Sequence, residues 1–213
     1  MGVTTLPVRD DHSKATGSSR ERLLEAAIDS IERDGEAGVR VEQIAHQANV
    51  TKASMYHFFQ DRDGLVVAAQ AERYRRSLRY GMDEQVTAVR RCGTRDDFEQ
   101  LVRDWMVDTF SADGTARRRI RVDVLGSSVS RPGLQAQLAH TDRQVAHELA
   151  GLLLIAHDRG WIDMPFDLEA CSMWWLSMLN GRYLLEHQDD PERLAGWDAV
   201  ATEATIRIVF GSR

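Results

Sequence analysis

Residues 41–59 read VEQIAHQANVTKASMYHFF. The pattern predicts two short helices joined by a tight turn. In the first half, Val41, Ile44, Ala45 and Ala48 recur at the three- and four-residue spacing of one buried helical face. Asn49 follows, and Asn tolerates a left-handed backbone better than any residue but Gly, so the first helix can end where the chain must reverse. Val50 can plug the corner, and the Thr51 hydroxyl can cap the second helix, predicted from Lys52 to Phe58. Met55 and Phe59 fall four apart and anchor that helix inward. Its outward set, Lys52, Ser54, Tyr56 and His57, carries a cation, hydroxyls and a ring nitrogen. Such groups suit phosphates and base edges in a major groove. The same spacing also fits an ordinary helix pair inside an all-α domain, because helix-turn-helix patterns are short.

The flanking residues extend the pattern. Ile44-Ala45, Ala48-Asn49-Val50, Thr51, Ala53, Met55-Tyr56, Phe59 and Arg62-Asp63-Gly64-Leu65 stand in a fixed order. In that order residues 19–67 resemble the conserved part of the TetR family of one-component transcriptional regulators. Four positions depart from the family pattern. Asn49 replaces the turn Gly, Arg40 stands where a Ser or Thr caps the first motif helix, Phe58 where His or Tyr is common, and Arg62 for Lys. The resemblance implies an all-α homodimer that is not an enzyme. It implies a helix-turn-helix DNA-binding domain over residues 18–62 and a larger ligand-binding and dimerisation domain over 63–213. Lys52, Ser54 and His57 are the candidates for base contacts in a double-stranded DNA operator, and Arg40, Thr51, Tyr56 and Arg62 for phosphates.

Charge fits this division. The chain of 213 residues carries a formal net charge of −6. Residues 81–213 account for the acidity, while residues 13–80 hold 11 Lys/Arg against 10 Asp/Glu. A reading head needs a local basic face rather than a basic domain. Four prolines and long stretches rich in Ala, Leu, Arg and Glu favour helices. Cys92 and Cys171 are isolated and outside any CxxC, which points to a reducing cytoplasm and away from a disulfide framework. Residues 1–17 read as a disordered arm carrying Arg9 and Lys14, without the apolar run of a signal peptide. The longest apolar cluster, Leu152 to Ala156, is too short to span a bilayer, so no membrane partner is expected.

Ser18 and Glu21 have capping-box spacing at the start of a first helix whose buried stripe is Leu24, Ala27, Ile28 and Ile31, ended by Gly35 and Gly38. A helix beginning near Arg62 runs to about Tyr80, with Arg73, Arg75, Arg76 and Arg79 as a solvated face. Gly81 to Gly93 is ambiguous. Phe98, Leu101, Val102, Trp105, Met106 and Thr109 suit one helix ending at Asp113-Gly114, and Arg117-Arg118-Arg119 opens another as a solvated or acid-paired cluster. Pro132-Gly133 starts a long helix to His157, stopped by Gly160-Trp161. Asp167 caps a helix predicted over Leu168 to His187, Pro191 breaks the chain, and a last helix is predicted near Trp197 to Phe210.

On the last two helices Ala170, Ser177 and Gly181, with Trp197, Val200 and Ala204, suit the four-helix dimer interface that the resemblance implies. Trp105, Phe110, His147, Trp175 and Met178 are candidates for a pocket that takes a largely apolar effector with one or two polar handles. The plainer reading of each Trp and Met is core packing. No His/Cys cluster supports a metal, and no cofactor motif is found. An enzyme reading lacks a phosphate loop, a nucleophile elbow and clustered carboxylates with a His. A binding module that has lost DNA is supported only by the missing cap at Arg40.

Overall fold

The computed structural model describes residues 17–187 and 190–211, and among these every regular element is helical. The arm expected at 1–17, with Arg9 and Lys14, lies outside them apart from Gly17. The chain divides into two compact units, with the division after Ala69.

The N-terminal unit opens with α1 (Ser19–Asp34), whose capping box is complete. The Ser18 hydroxyl accepts from the Glu21 N–H, and the Glu21 carboxylate accepts from the Ser18 N–H. Gly35, at φ 70°, ends it, and a single 3-10 turn (Glu36–Gly38) leads to α2 (Val41–Gln47), α3 (Lys52–Phe59) and α4 (Arg62–Arg79). Leu23, Ala27, Ile31, Ile44, Met55, Phe59, Leu65, Val66 and Ala69 form one core. The first two turns of α4 therefore belong to this core, which is why the unit reaches past residue 62.

The C-terminal unit holds the rest of α4, then α5 (Met82–Arg91), α6 (Arg95–Phe110), α7 (Ala112–Ser128), α8 (Pro132–Asp158), α9 (Leu168–Gly181), α10 (Tyr183–Glu186) and α11 (Pro191–Phe210). The ambiguous segment 81–93 is thus a helix, entered through Gly81 in the left-handed region. The long α8 packs along α9, α6 packs on α7 and α11, and α5 packs on α8.

Three boundaries differ from expectation. Asp113-Gly114 does not end α6. The break comes at Ser111, whose hydroxyl caps α7, and Gly114 sits in the first turn of α7. A Cβ at Gly114 would stand 1.9 Å from the Thr109 carbonyl oxygen, so this glycine serves close approach and does not break a helix. The helix after Asp167 does not reach His187 but breaks at Arg182. The last helix begins at Pro191, not near Trp197, because a proline fits the first helical position, and Asp190 caps it.

The arginines of α4 form a solvated face only in part: Arg75 and Arg76 are exposed, Arg79 is half-buried and Arg73 is buried. Arg73 is buried against Asp123, Arg75 and Arg76 share Glu72, and Arg79 pairs with Glu148. The triple arginine splits three ways. Arg117 pairs with Asp108 and lies over the Tyr80 ring, Arg118 is fully buried on Glu186, and Arg119 is exposed.

Candidate nucleic-acid interface

The turn between α2 and α3 is built by backbone geometry that Asn49 permits. Ala48 is still right-handed, and Asn49 turns to φ 50°. The Asn49 N–H then donates to the His46 carbonyl at 3.0 Å and the Val50 N–H to the Ala45 carbonyl at 2.9 Å. These are the two bonds of a Schellman motif, in which the left-handed residue lets the chain fold back over the helix end. Val50 packs against the core, as the sequence suggests. Thr51 then caps α3, its Oγ1 accepting from the Ser54 N–H at 3.1 Å. Met55 and Phe59 are buried, so the opposite side of α3 is fixed outward.

That side presents Thr51, Lys52, Tyr56 and His57 to solvent. Tyr56 is 43% exposed. Ser54 is half-buried, and its hydroxyl already shares a hydrogen bond with Thr51 Oγ1 at 2.9 Å. Lys52 Nζ forms an ion pair with Glu42 of α2 and lies 5.9 Å from the Tyr56 ring centroid. Its donated hydrogen bond pulls the Glu42 carboxyl below the ordinary carboxylate range, and the same bond raises Lys52. The two motif helices are therefore tied at their exposed rim.

Arg40 and Arg62 serve the fold of this unit. Arg40 gives α2 no side-chain cap, and its Nη1 donates to the Ala37 carbonyl at 2.9 Å. Arg62 is half-buried, with Nε on the Val39 carbonyl at 3.0 Å and Nη2 on the Glu36 carbonyl. It thereby fastens the start of α4 to the 3-10 turn.

Sequence reasoning missed Arg22 of α1. Its Nε donates to the Ala48 carbonyl at 3.0 Å and its Nη1 to the Gly17 carbonyl at 2.9 Å, so it holds the end of α2. No local signal announces a partner 26 residues away. The corner after α3 was also unforeseen in kind. Gln60 adopts φ 66° and ψ −54°, and the Asp61 N–H donates to the Phe59 carbonyl at 2.8 Å, which makes a γ-turn of the strained hand. Asp61 Oδ1 then accepts from the Gly64 N–H at 2.7 Å and starts α4.

Within the C-terminal unit, a cavity of about 70 Å³ is lined by residues of α4 through α9. Ser77, Leu78, Gln85, Thr109, Arg117, Arg121, Val145, Leu149, Trp175, Leu176 and Asn180 are among its walls. Of the five effector candidates, Trp175 alone lines it. Trp105 and Trp175 border a second, apolar recess of about 50 Å³ with Leu149, Leu152 and Trp174. Phe110 packs edge-on against Trp197, and with Met178 it joins the small core around Met106 and Leu179. His147 is 79% exposed and bonds Glu169 at 2.7 Å, away from both spaces. Among the described residues no group of three His, Cys, Asp or Glu is placed to hold a metal ion.

Along α9 and α10, Ala170, Met173, Trp174, Ser177 and Leu184 are exposed, and on α11 Val200 is exposed with Ala204 half-buried. Gly181 is half-buried, with open space where a Cβ would stand. Trp197 is turned onto Phe110 instead of lying on this stripe.

Residues 23–69 match the family described as bacterial regulatory proteins, tetR family. The HTH-type transcriptional regulator RutR of Escherichia coli K12 is 34% identical over 56 residues, 26% of this chain and 26% of that protein. The matched segment thus spans about a quarter of the length of the curated relative. A structure from Mesorhizobium loti described as a TetR-family transcriptional regulator covers 89% of this chain and 96% of its own, with TM-score 0.65 and 15% identity. The transcriptional regulator FadR of Bacillus subtilis, in complex with stearoyl-CoA, covers 91% of this chain and 99% of its own, with TM-score 0.55 and 13% identity. Similarity in sequence is concentrated in the N-terminal unit, whereas similarity in fold extends over both.

Proposed function

We propose, for a chain that belongs to the TetR family of bacterial regulatory proteins, a cytoplasmic homodimeric repressor released from a palindromic operator by a small, largely apolar effector. The observation that carries this reading is the outward side of α3. It presents Lys52, Tyr56 and His57 on a helix held by a Schellman turn, a Thr cap and two buried anchors. Rigid presentation of a few polar groups is what base readout in a major groove requires.

In this reading Lys52, Ser54 and His57 face base edges or their neighbours, and Thr51, Tyr56, Arg40 and Arg62 face phosphates. Lys52 exchanges its Glu42 partner for DNA. Arg62 contributes from a guanidinium that also ties α4 to the 3-10 turn. The apolar stripe of α9 and α11 meets its copy in a second protomer. The effector occupies the cavity lined by α4 to α9 and prefers one arrangement of α4, since a ligand with equal affinity for both arrangements shifts nothing. Among the described residues no helix is long and apolar enough to cross a membrane.

The test is binding of the purified protein to the DNA upstream of its own gene and of the divergent neighbour, at two salt concentrations, against scrambled competitor. Saturable, salt-dependent and competitor-resistant binding is expected, with a palindromic footprint. Tyr56→Ala should weaken operator binding by roughly 10- to 100-fold, the worth of a hydrogen bond to a charged group, and leave the dimer intact. Undiminished binding by that variant would remove Tyr56 from the interface. Binding that ignores both sequence and salt would sink the regulator reading itself.

A further inference from the structure

Four arginines are buried among the described residues: Arg73, Arg118, Arg121 and Arg182. Three have a carboxylate. Arg73 meets Asp123 at 2.8 Å, Arg118 meets Glu186 at 2.5 Å, and Arg182 meets Asp198 at 2.5 Å. Arg121, 7% exposed, has only neutral partners: Nε donates to Asn180 Oδ1 at 2.6 Å and Nη1 to the Ser77 carbonyl at 3.1 Å. Burial holds its pKa down at about 10, and the nearby Arg118 and Arg117 add repulsion. It remains charged at neutral pH, a buried cation with no carboxylate bonded to it, since Glu186, which favours its charge from farther off, is already shared by Arg118 and Arg182.

Arg121 lines the cavity described above. The other charges of that wall, Arg117 and Asp108, neutralise each other at 2.8 Å. The lining is therefore one positive charge in excess. The same lining includes the apolar side chains of Val145, Leu149, Trp175 and Leu176. The volume, about 70 Å³, exceeds the ~10–15 Å³ that one water needs and is about half the ~150 Å³ of a cavity that holds benzene, so an apolar body of ring size enters only as the walls part.

We propose that this cavity takes a small monocarboxylic acid with an apolar body, its carboxylate held by the Arg121 guanidinium and its body against Leu149 and Trp175. The acid supplies the missing counter-charge, and the planar guanidinium offers it two parallel N–H donors. One of Arg121's present bonds is to the carbonyl of Ser77 in α4, the helix that follows α3 with two residues between them. A carboxylate that draws the guanidinium toward itself competes with that bond, so occupancy is felt by α4. The inference rests on the effector reading above and gives the effector its chemical class.

The experiment uses the full chain without DNA and three probe acids, benzoate, phenylacetate and hexanoate, each beside its primary amide, by titration calorimetry. At least one acid should bind saturably, and roughly tenfold or more tighter than its amide, as expected for a charge-assisted pair. Arg121→Gln should lose that preference and Arg121→Lys should keep part of it, with circular dichroism confirming the fold of both. If Arg121→Gln does not fold, the acid–amide contrast on the parent chain and the Arg121→Lys titration decide. An amide bound as tightly as its acid, an acid bound equally by Arg121→Gln, or no binding by any of the three acids would overturn the proposal. Operator binding measured on the same preparation separates the two readings. DNA binding without acid binding removes only the acid, and acid binding without DNA binding removes only the regulator.

Discussion

Glu186→Gln tests the charged core of the C-terminal unit. Glu186 Oε1 accepts from Arg118 Nε at 2.7 Å and from Arg182 Nη1 at 2.8 Å. Arg118 is 0% exposed and Glu186 10%. Arg182 keeps a second carboxylate, Asp198, bonded at 2.5 and 2.9 Å. Arg118 keeps only the neutral Thr109 carbonyl and Thr115 Oγ1. The substitution preserves shape and deletes one charge, which strands a fully buried guanidinium. Breaking such a pair costs about 3–5 kcal/mol. For a chain of this size that corresponds to a fall in melting temperature of about 6–20 °C. The assay is thermal and denaturant unfolding beside Glu203→Gln, which breaks an exposed pair with Arg207 and should cost no more than about 1 kcal/mol. The double variant Arg118→Met, Glu186→Leu should recover most of the loss, because an apolar pair needs no desolvation of charge. Equal melting of Glu186→Gln and Glu203→Gln would refute the reasoning.

The corner after α3 gives a second expectation. A Cβ at Gly64 would stand 2.1 Å from the Phe59 carbonyl oxygen, so Gly64→Ala should lose about 2 kcal/mol, a clash of up to ~3 offset by ~1 of helix propensity. Chemical denaturation checks it, and a gain in stability would show that the corner relaxes freely. A third expectation concerns pH. Burial raises the Asp142 carboxyl above its ordinary value, and the hydrogen bond from Tyr74 at 2.8 Å only partly opposes this. A raised carboxyl pKa means the native state holds the proton more tightly than the unfolded chain. Its contribution is present below the unfolded value, about 3.9, and is lost as pH rises through the folded one. Asp142→Asn should therefore be more stable than the parent at neutral pH, and the two should converge in acid. Denaturant midpoints across pH that run parallel, or cross the other way, would contradict it.

The helix pair α2 and α3 was legible because its determinants are local. Asn49, Val50 and Thr51 act on backbone groups within five residues, and Met55 and Phe59 declare their side of α3 by spacing alone. The same holds for the capping box at Ser18 and for Pro132 at the start of α8. Where the sequence misled, a local sign had two physical uses. Gly114 and Pro191 are helix breakers in most settings, yet one permits close approach inside a helix and the other opens one.

The charged core was illegible for a different reason. Arg117, Arg118 and Arg119 are identical neighbours, and a helix turns about 100° between them. One therefore reaches Tyr80 and Asp108, one meets Glu186, 68 residues on, and one faces water. Composition cannot choose among these fates, because burial of an arginine is settled by whether a carboxylate arrives from another helix. The same argument isolates Arg121. It lies on α7 one turn beyond Arg117 and Arg118, and the groups that reach it from α4 and α9 are a carbonyl and an amide. Among the described residues, then, each buried arginine but this one is ion-paired within the chain, and this one borders a cavity. If the missing charge is supplied from outside, the feature least visible in the sequence is the one that selects the effector.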